Sequence, residues 1–263
     1  MIRFRRIALP AGLLCAMAVM LSSCGGASSS TVLAHVGPTP ITRSELSHWM
    51  QTLAGGDYHQ LSHGHPLPAG VVSEPPDDQK CVTTLESLAQ PSAKATSSQL
   101  ARKCRELQPA LRDQAMTYLV NAYWTRSVYR DAGITVSEPE VQAFFAQVKK
   151  REFPTPAAQA TYLSSRGLSL ADEMFILKLD LLDQKATQQI ESGGAQQALA
   201  KLTRIGQSWT TKTTCSKGYV VRHCKQYTEQ QAPKGTSPAI LMEQIATVAG
   251  VRCVNQAACS EKQ

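Results

Sequence analysis

The sequence predicts a mainly α-helical fold with a small β element. Three observations carry this expectation. Apolar residues recur at three- and four-residue steps over most of the chain, the spacing of a buried helix face. Two capping boxes, Thr42-Arg-Ser-Glu45 and Ser137-Glu-Pro-Glu140, mark helix starts, where a hydroxyl oxygen and a glutamate side chain satisfy free N–H groups. Strand-favouring stretches are confined to residues 32–36, with a stub before Thr42, and to residues 210–221.

Val32-Leu-Ala-His-Val36 reads as the first strand, broken by Gly37-Pro38, and a second strand stub leads to Thr42. Leu46, Trp49, Met50 and Leu53 follow at helical spacing, so these four are expected in the core or on a groove wall. Ala54-Gly55-Gly56 is expected to end this helix. Residues 57–80, rich in His, Pro, Gly and acidic residues, read as an exposed loop. His59, His63 and His65 lie there, and histidine is the commonest metal ligand. No carboxylate or cysteine completes a convincing set, so no metal is expected.

A short helix over residues 80–88 carries Cys81, and residues 89–98 read as a second loop. The longest helical signal covers residues 99–131, where Leu100, Cys104, Leu107, Leu111, Ala115, Tyr118, Ala122 and Tyr129 recur mostly at three- and four-residue steps. Pro109 is expected to kink or restart it, because proline lacks an N–H and clashes with the preceding turn. Leu119, Val120, Tyr123 and Trp124 widen the apolar face, as suits a helix packed on two sides. Ala132-Gly133 is the stop.

The second capping box, with Pro139 in the first turn, opens a helix whose inner face is Val141, Phe144, Phe145 and Val148. Phe153-Pro-Thr155-Pro156 is a turn into a helix through Leu163, which Gly167 ends. Ser169 caps a long helix over residues 170–191, on which apolar positions alternate with Lys178 and Lys185. Leu199, Leu202, Ile205 and Trp209 share one side of a helix over residues 196–209. Residues 210–224 turn strand-like, with Ser216-Lys-Gly218 as a hairpin turn. Residues 239–248 make a last helix inside a linker and tail, residues 228–263.

Arg3, Arg5 and Arg6 precede an apolar run, residues 7–21, that is short for a membrane span. It ends in Leu21-Ser-Ser-Cys24, which resembles the bacterial lipobox. The resemblance implies a signal peptide at residues 1–23, a diacylglycerol-bearing Cys24 and a tether at residues 24–31. The protein is then expected on the extracytoplasmic face of the cell membrane, held by its lipid. The chain of 263 residues has a net charge of +7, and loss of the leader's three arginines leaves +4. That mild excess suits an anionic surface. Nucleic acid is not an expected partner, because no basic stripe with interleaved aromatics is present.

Export also sets the cysteine chemistry. Of eight cysteines, Cys15 leaves with the signal and Cys24 is the anchor. Cys81, Cys104, Cys215, Cys224, Cys253 and Cys259 remain as three sequence-local pairs, and an oxidising compartment predicts disulfides among them. Sequence leaves other connectivities open. Zinc is the competing use, against which no Cys-x-x-Cys occurs. A Cys81–Cys104 bridge would contribute on the order of 3 kcal/mol by the chain-entropy estimate.

Val36-Gly-Pro-Thr-Pro-Ile-Thr-Arg-Ser-Glu-Leu-Ser-His-Trp49 resembles the N-terminal chaperone domain of SurA- and PrsA-type foldases. Gly133-Ile-Thr-Val-Ser-Glu-Pro-Glu-Val-Gln142 is similar to that family's next segment. The stretch from Phe153-Pro-Thr-Pro156 to Gly167-Leu-Ser-Leu-Ala-Asp172, with Leu179-Asp-Leu-Leu-Asp-Gln-Lys185, is similar to its helix-turn-helix and exit helix. Thr213-Thr-Cys-Ser-Lys-Gly-Tyr-Val-Val-Arg-His-Cys224 resembles the ending of actinobacterial exported members. The resemblance spans residues 32–227. It implies a chaperone lobe closed by a C-terminal helix and strand hairpin, with Tyr219-Val220-Val221 beside residues 32–36.

The function this implies is a lipid-anchored chaperone that holds unfolded exported proteins in an apolar groove between helices. Candidate groove residues are Trp49, Met50, Tyr123, Trp124, Phe144, Phe145 and Phe175. Such foldases usually carry a parvulin prolyl-isomerase domain between exit helix and C-terminal segment. Here only a short helix separates them, with no parvulin-like His-Ile start and no Gly-Gly-x-Leu-Gly segment. Neither isomerase chemistry nor a cofactor is therefore expected. Two other classes are weighed: an envelope-assembly lipoprotein that binds one folded partner, and an enzyme, either a divergent prolyl isomerase or a hydrolase. No Gly-x-Ser-x-Gly elbow supports the hydrolase.

Overall fold

Val32–Val36 forms β1 and Thr39–Thr42 forms β2, an antiparallel hairpin turned at Gly37-Pro38. Gly37 sits at φ +58°, and a Cβ there would lie 2.5 Å from the Trp209 ring, so both backbone and space call for glycine. The computed structural model describes residues 31–62, 64–72, 78–89, 95–192, 194–229 and 236–248. Residues 1–23, Cys24, His63 and the Cys253–Cys259 loop lie outside them. Among the described residues the chain is mainly helical, with eight helices and one three-stranded antiparallel sheet of order β2-β1-β3.

Arg43–Leu61 forms α1, with Thr42 Oγ1 accepting a hydrogen bond from the Glu45 N–H as the capping pattern requires. The helix runs on through Gly55-Gly56, where a stop was expected. Gly55 is a packing position: a Cβ there would lie 2.8 Å from the Arg166 carbonyl oxygen, so a neighbouring backbone approaches where only glycine leaves room. The expected exposed loop at residues 57–80 consequently starts later and is partly interior, with Tyr58 and Val71 buried.

Gln79–Leu88 forms α2 and Ser97–Ala132 forms α3, the latter started by a Thr96/Gln99 capping box. The predicted loop at residues 89–98 is therefore shortened at its end by the first turn of α3. Pro109 does not restart α3, which is one element of 36 residues. Leu107 and Leu111 flank the proline and are both buried, so packing holds the helix through the missing bond. α3 contacts α1, α2 and the sheet, and the sixth, seventh and eighth helices also pack on it.

Glu138–Glu152 forms α4, Pro156–Arg166 forms α5 and Leu170–Ser192 forms α6. The Ser137/Glu140 capping box, Thr155 with Pro156, and Gly133 and Gly167 in the left-handed region bound these elements as the sequence predicts. Ala195–Lys212 forms α7, which leads directly into β3, Thr213–Cys215. β3 pairs antiparallel with β1, setting Cys215 opposite Ala34 and Thr213 opposite Val36. The chain thus closes on its first strand, but through residues 213–215 rather than Tyr219-Val220-Val221. No second hairpin strand forms there: Tyr219 N–H donates to the Ser216 carbonyl and Cys224 N–H to that of Val221, so the backbone bonds close locally as turns. Val221 turns into the core.

Pro238–Val248 forms α8, which packs on α1, α2 and α3. Leu241, Met242, Ile245 and Ala246 of α8 join the main core, beside Leu85, Leu100, Leu107 and Met116. A segment of the predicted tail is thus part of the lobe itself. Cys81 is bonded to Cys104 and Cys215 to Cys224, with Cα separations of 6.0 and 5.8 Å, ordinary for disulfides. No helix among the described residues is long and apolar enough to cross a membrane.

Candidate functional site

The seven residues expected to line a groove separate into three groups. Trp49 and Met50 are buried in the core, each about 5 % exposed, and so form no groove wall. Trp49 lies 4.5 Å from the Tyr118 ring and 5.7 Å from that of Phe175, and Tyr123 lies 6.0 Å from Phe175. These rings are the mortar between α1, α3 and α6. Tyr123 also donates its phenol to Glu45 at the start of α1, and burial followed by that carboxylate pushes its pKa up. Trp124 stacks on His223 at 4.0 Å and 20°, and burial followed by Arg222 pulls the imidazole pKa down.

Phe144 and Phe145 remain partly exposed on α4. Phe144 lines a cleft of about 780 Å³ between α4, α5 and α6. One wall is apolar, with Phe144 and Val148 from α4, Phe153 from the connecting turn and Tyr162 from α5. The Phe153 and Tyr162 rings lie 5.0 Å apart, and the Arg166 guanidinium sits 4.5 Å over the Tyr162 ring. The other wall is α6. Glu173, Leu177, Asp180 and Gln184 fall at steps of four, three and four residues, so one face of α6 presents all of them to the cleft.

Glu173 is 6 % exposed. Among the described residues its carboxylate has no hydrogen-bond or ion-pair partner, although Arg166 is near enough to act on it electrostatically. Burial raises its pKa and Arg166 only partly opposes that. Asp180 is exposed, and its pKa is pushed up by partial desolvation first and by Asp183 second. Among the described residues the buried Arg166 Nε–H has no acceptor. This cleft therefore combines apolar surface with an uncommitted acceptor and an uncommitted donor, the makings of a binding site.

A second polar cluster is structural. Asp172 accepts from the Ser169 N–H at 2.7 Å and the Ser169 hydroxyl at 2.6 Å, and pairs with His48 Nε2 at 2.8 Å. Burial opposes ionisation of Asp172, but these hydrogen bonds win and lower its pKa. The serine hydroxyl is turned to the carboxylate rather than to the imidazole, so the trio caps α6 and ties it to α1 instead of activating a nucleophile. Of the three loop histidines, His63 lies outside the described residues, His59 lies on α1 and His65 is exposed. Among the described residues no group of three metal-ligating side chains forms.

Periodicity alone missed Phe153, Tyr162, Arg166 and Glu173. Phe153 sits in a Pro-Thr-Pro turn, and Glu173 was hidden in a helix whose basic rows stood out more. The spacing of Glu173, Leu177, Asp180 and Gln184 was the available signal. No protein-family model, no curated protein and no solved structure matches this chain.

Proposed function

We propose that this protein is a lipid-anchored, extracytoplasmic chaperone lobe of the SurA/PrsA type. It holds unfolded exported chains in the α4–α5–α6 cleft and has no isomerase activity. The observation that carries this reading is the apolar wall of Phe144, Phe153 and Tyr162, left partly open beside α6 rather than packed into the core. A guest phenylalanine or leucine that leaves water there gains about 1.5–3 kcal/mol, which is affinity without a sequence code. The return of α7 and β3 onto β1 agrees with the closure that the family resemblance implies. Attachment through Cys24 rests on the lipobox alone.

The test is light scattering from an aggregating, unfolded exported protein in the presence of the mature chain. Wild type is expected to suppress aggregation, and Phe144→Ala/Phe153→Ala to lower the affinity for the client by about tenfold or more. Both side chains are partly exposed, so the variant is expected to keep its fold. A wild-type protein that leaves aggregation unchanged contradicts the proposal.

A further inference from the structure

The cleft carries more acids than bases, although Asp183 already accepts a hydrogen bond from Tyr129. Its ionisable lining is Arg151, Glu152, Arg166, Glu173, Asp180 and Asp183, four acids against two bases. Arg151 is already bonded to Glu152 at 2.7 Å. The lysines of α6 face elsewhere: Lys178 reaches Glu138 at 3.7 Å, and Lys185 bonds Glu140 and the Thr135 carbonyl at the start of α4. The cleft side of α6 is thereby left acidic. A glutamate as buried as Glu173 normally has a partner, because desolvation of a carboxylate without one is unfavourable. Among the described residues no side chain bonds to it, Arg166 acting only electrostatically, and the cleft is where a partner can enter.

Resting on the guest-holding function above, we propose that the cleft selects cationic apolar segments, with guest aromatic or aliphatic side chains against Phe144, Phe153 and Tyr162 and a guest lysine or arginine on Glu173 and Asp180. The two acids lie seven residues apart on α6, two helical turns, or about 10 Å. A segment carrying basic residues a few positions apart can therefore meet both while its apolar residues face the opposite wall. Charge complementarity of this kind selects partners and speeds encounter more than it adds raw affinity. The holding function would accordingly favour stretches of exported chain in which basic and apolar residues are mixed.

Three labelled peptides of the same apolar composition, bearing lysine, glutamate or serine at the same positions, provide the test. Each is titrated with the mature, disulfide-intact protein by fluorescence anisotropy. The lysine peptide is expected to bind about tenfold tighter than the glutamate isomer at low salt, with the gap narrowing as salt rises. Glu173→Gln/Asp180→Asn is expected to abolish that gap, and a wild-type far-ultraviolet circular dichroism spectrum with a cooperative melting transition reports that the variant is folded. Equal affinity of wild type for all three peptides overturns the charge selection and leaves the guest-holding function standing. Retention of the gap in the variant overturns the assignment to Glu173 and Asp180. Failure of every peptide to bind overturns both proposals.

Discussion

At the scale of single residues, Glu173 is the informative position. Its folded-state pKa is raised, so the folded protein holds the proton more tightly than the unfolded chain does. Below the ordinary value of 4.5 both states are protonated and nothing is lost; as pH rises through and above it, the unfolded chain ionises first and stability falls. Glu173→Gln is therefore expected to raise the melting temperature at pH 7. The gain should shrink as the pH is taken below 4.5, a trend that calorimetry across pH reads directly. Greater stability combined with lost charge selection would mark Glu173 as a residue kept for binding. Trp49 teaches the converse. Helical spacing identified it as inward-facing, yet the same spacing serves a core position and a groove wall. What decides is which partner covers the ring. Tyr118 and Phe175 do so from α3 and α6, residues far off in sequence.

At the scale of elements, the local signals were readable and the tertiary ones were not. The capping boxes at Thr42 and Ser137, the Thr155-Pro156 start and the Gly133 and Gly167 stops act within one turn, so their residues alone specify them. Gly55-Gly56 has the composition of a stop but lies within α1, because α5 crosses there and needs the space a side chain would fill. Two substitutions separate these roles. Gly55→Ala is expected to destabilise by about 1–3 kcal/mol, since the neighbour it meets is backbone and cannot swing away. Gly56→Ala meets nothing within 4 Å and is expected to stabilise by about 0.5–1 kcal/mol through helix propensity. Urea unfolding of the two variants checks the pair. The reverse order would mean that α1 does end near Gly55. Pro109 belongs with Gly55: its local preference for breaking a helix is overridden by the burial of Leu107 and Leu111 in the core.

At the scale of the whole molecule, the chain is closed twice over. β3 joins β1 at the sheet, and α8 covers α1, α2 and α3 with Leu241, Met242 and Ile245. The closure itself was expected from the resemblance, but the participating strand was not. Thr213–Cys215 and Tyr219-Val220-Val221 both have strand composition, and only the point where α7 ends decides which reaches β1. Trp49 of the α1–α3–α6 aromatic cluster lies in the core, whereas the cleft between α4, α5 and α6 stays open at the surface. Guest binding is therefore expected at the periphery of the lobe and not at its centre. Hydrogen–deuterium exchange of the protein, with and without a permanently unfolded client, tests that most directly. Slowed exchange in α4, α5 and α6, over residues 141–184, with α1 and α3 unchanged, is the predicted result. Protection confined to α1 and α3, or no protection anywhere at saturating client, would contradict it.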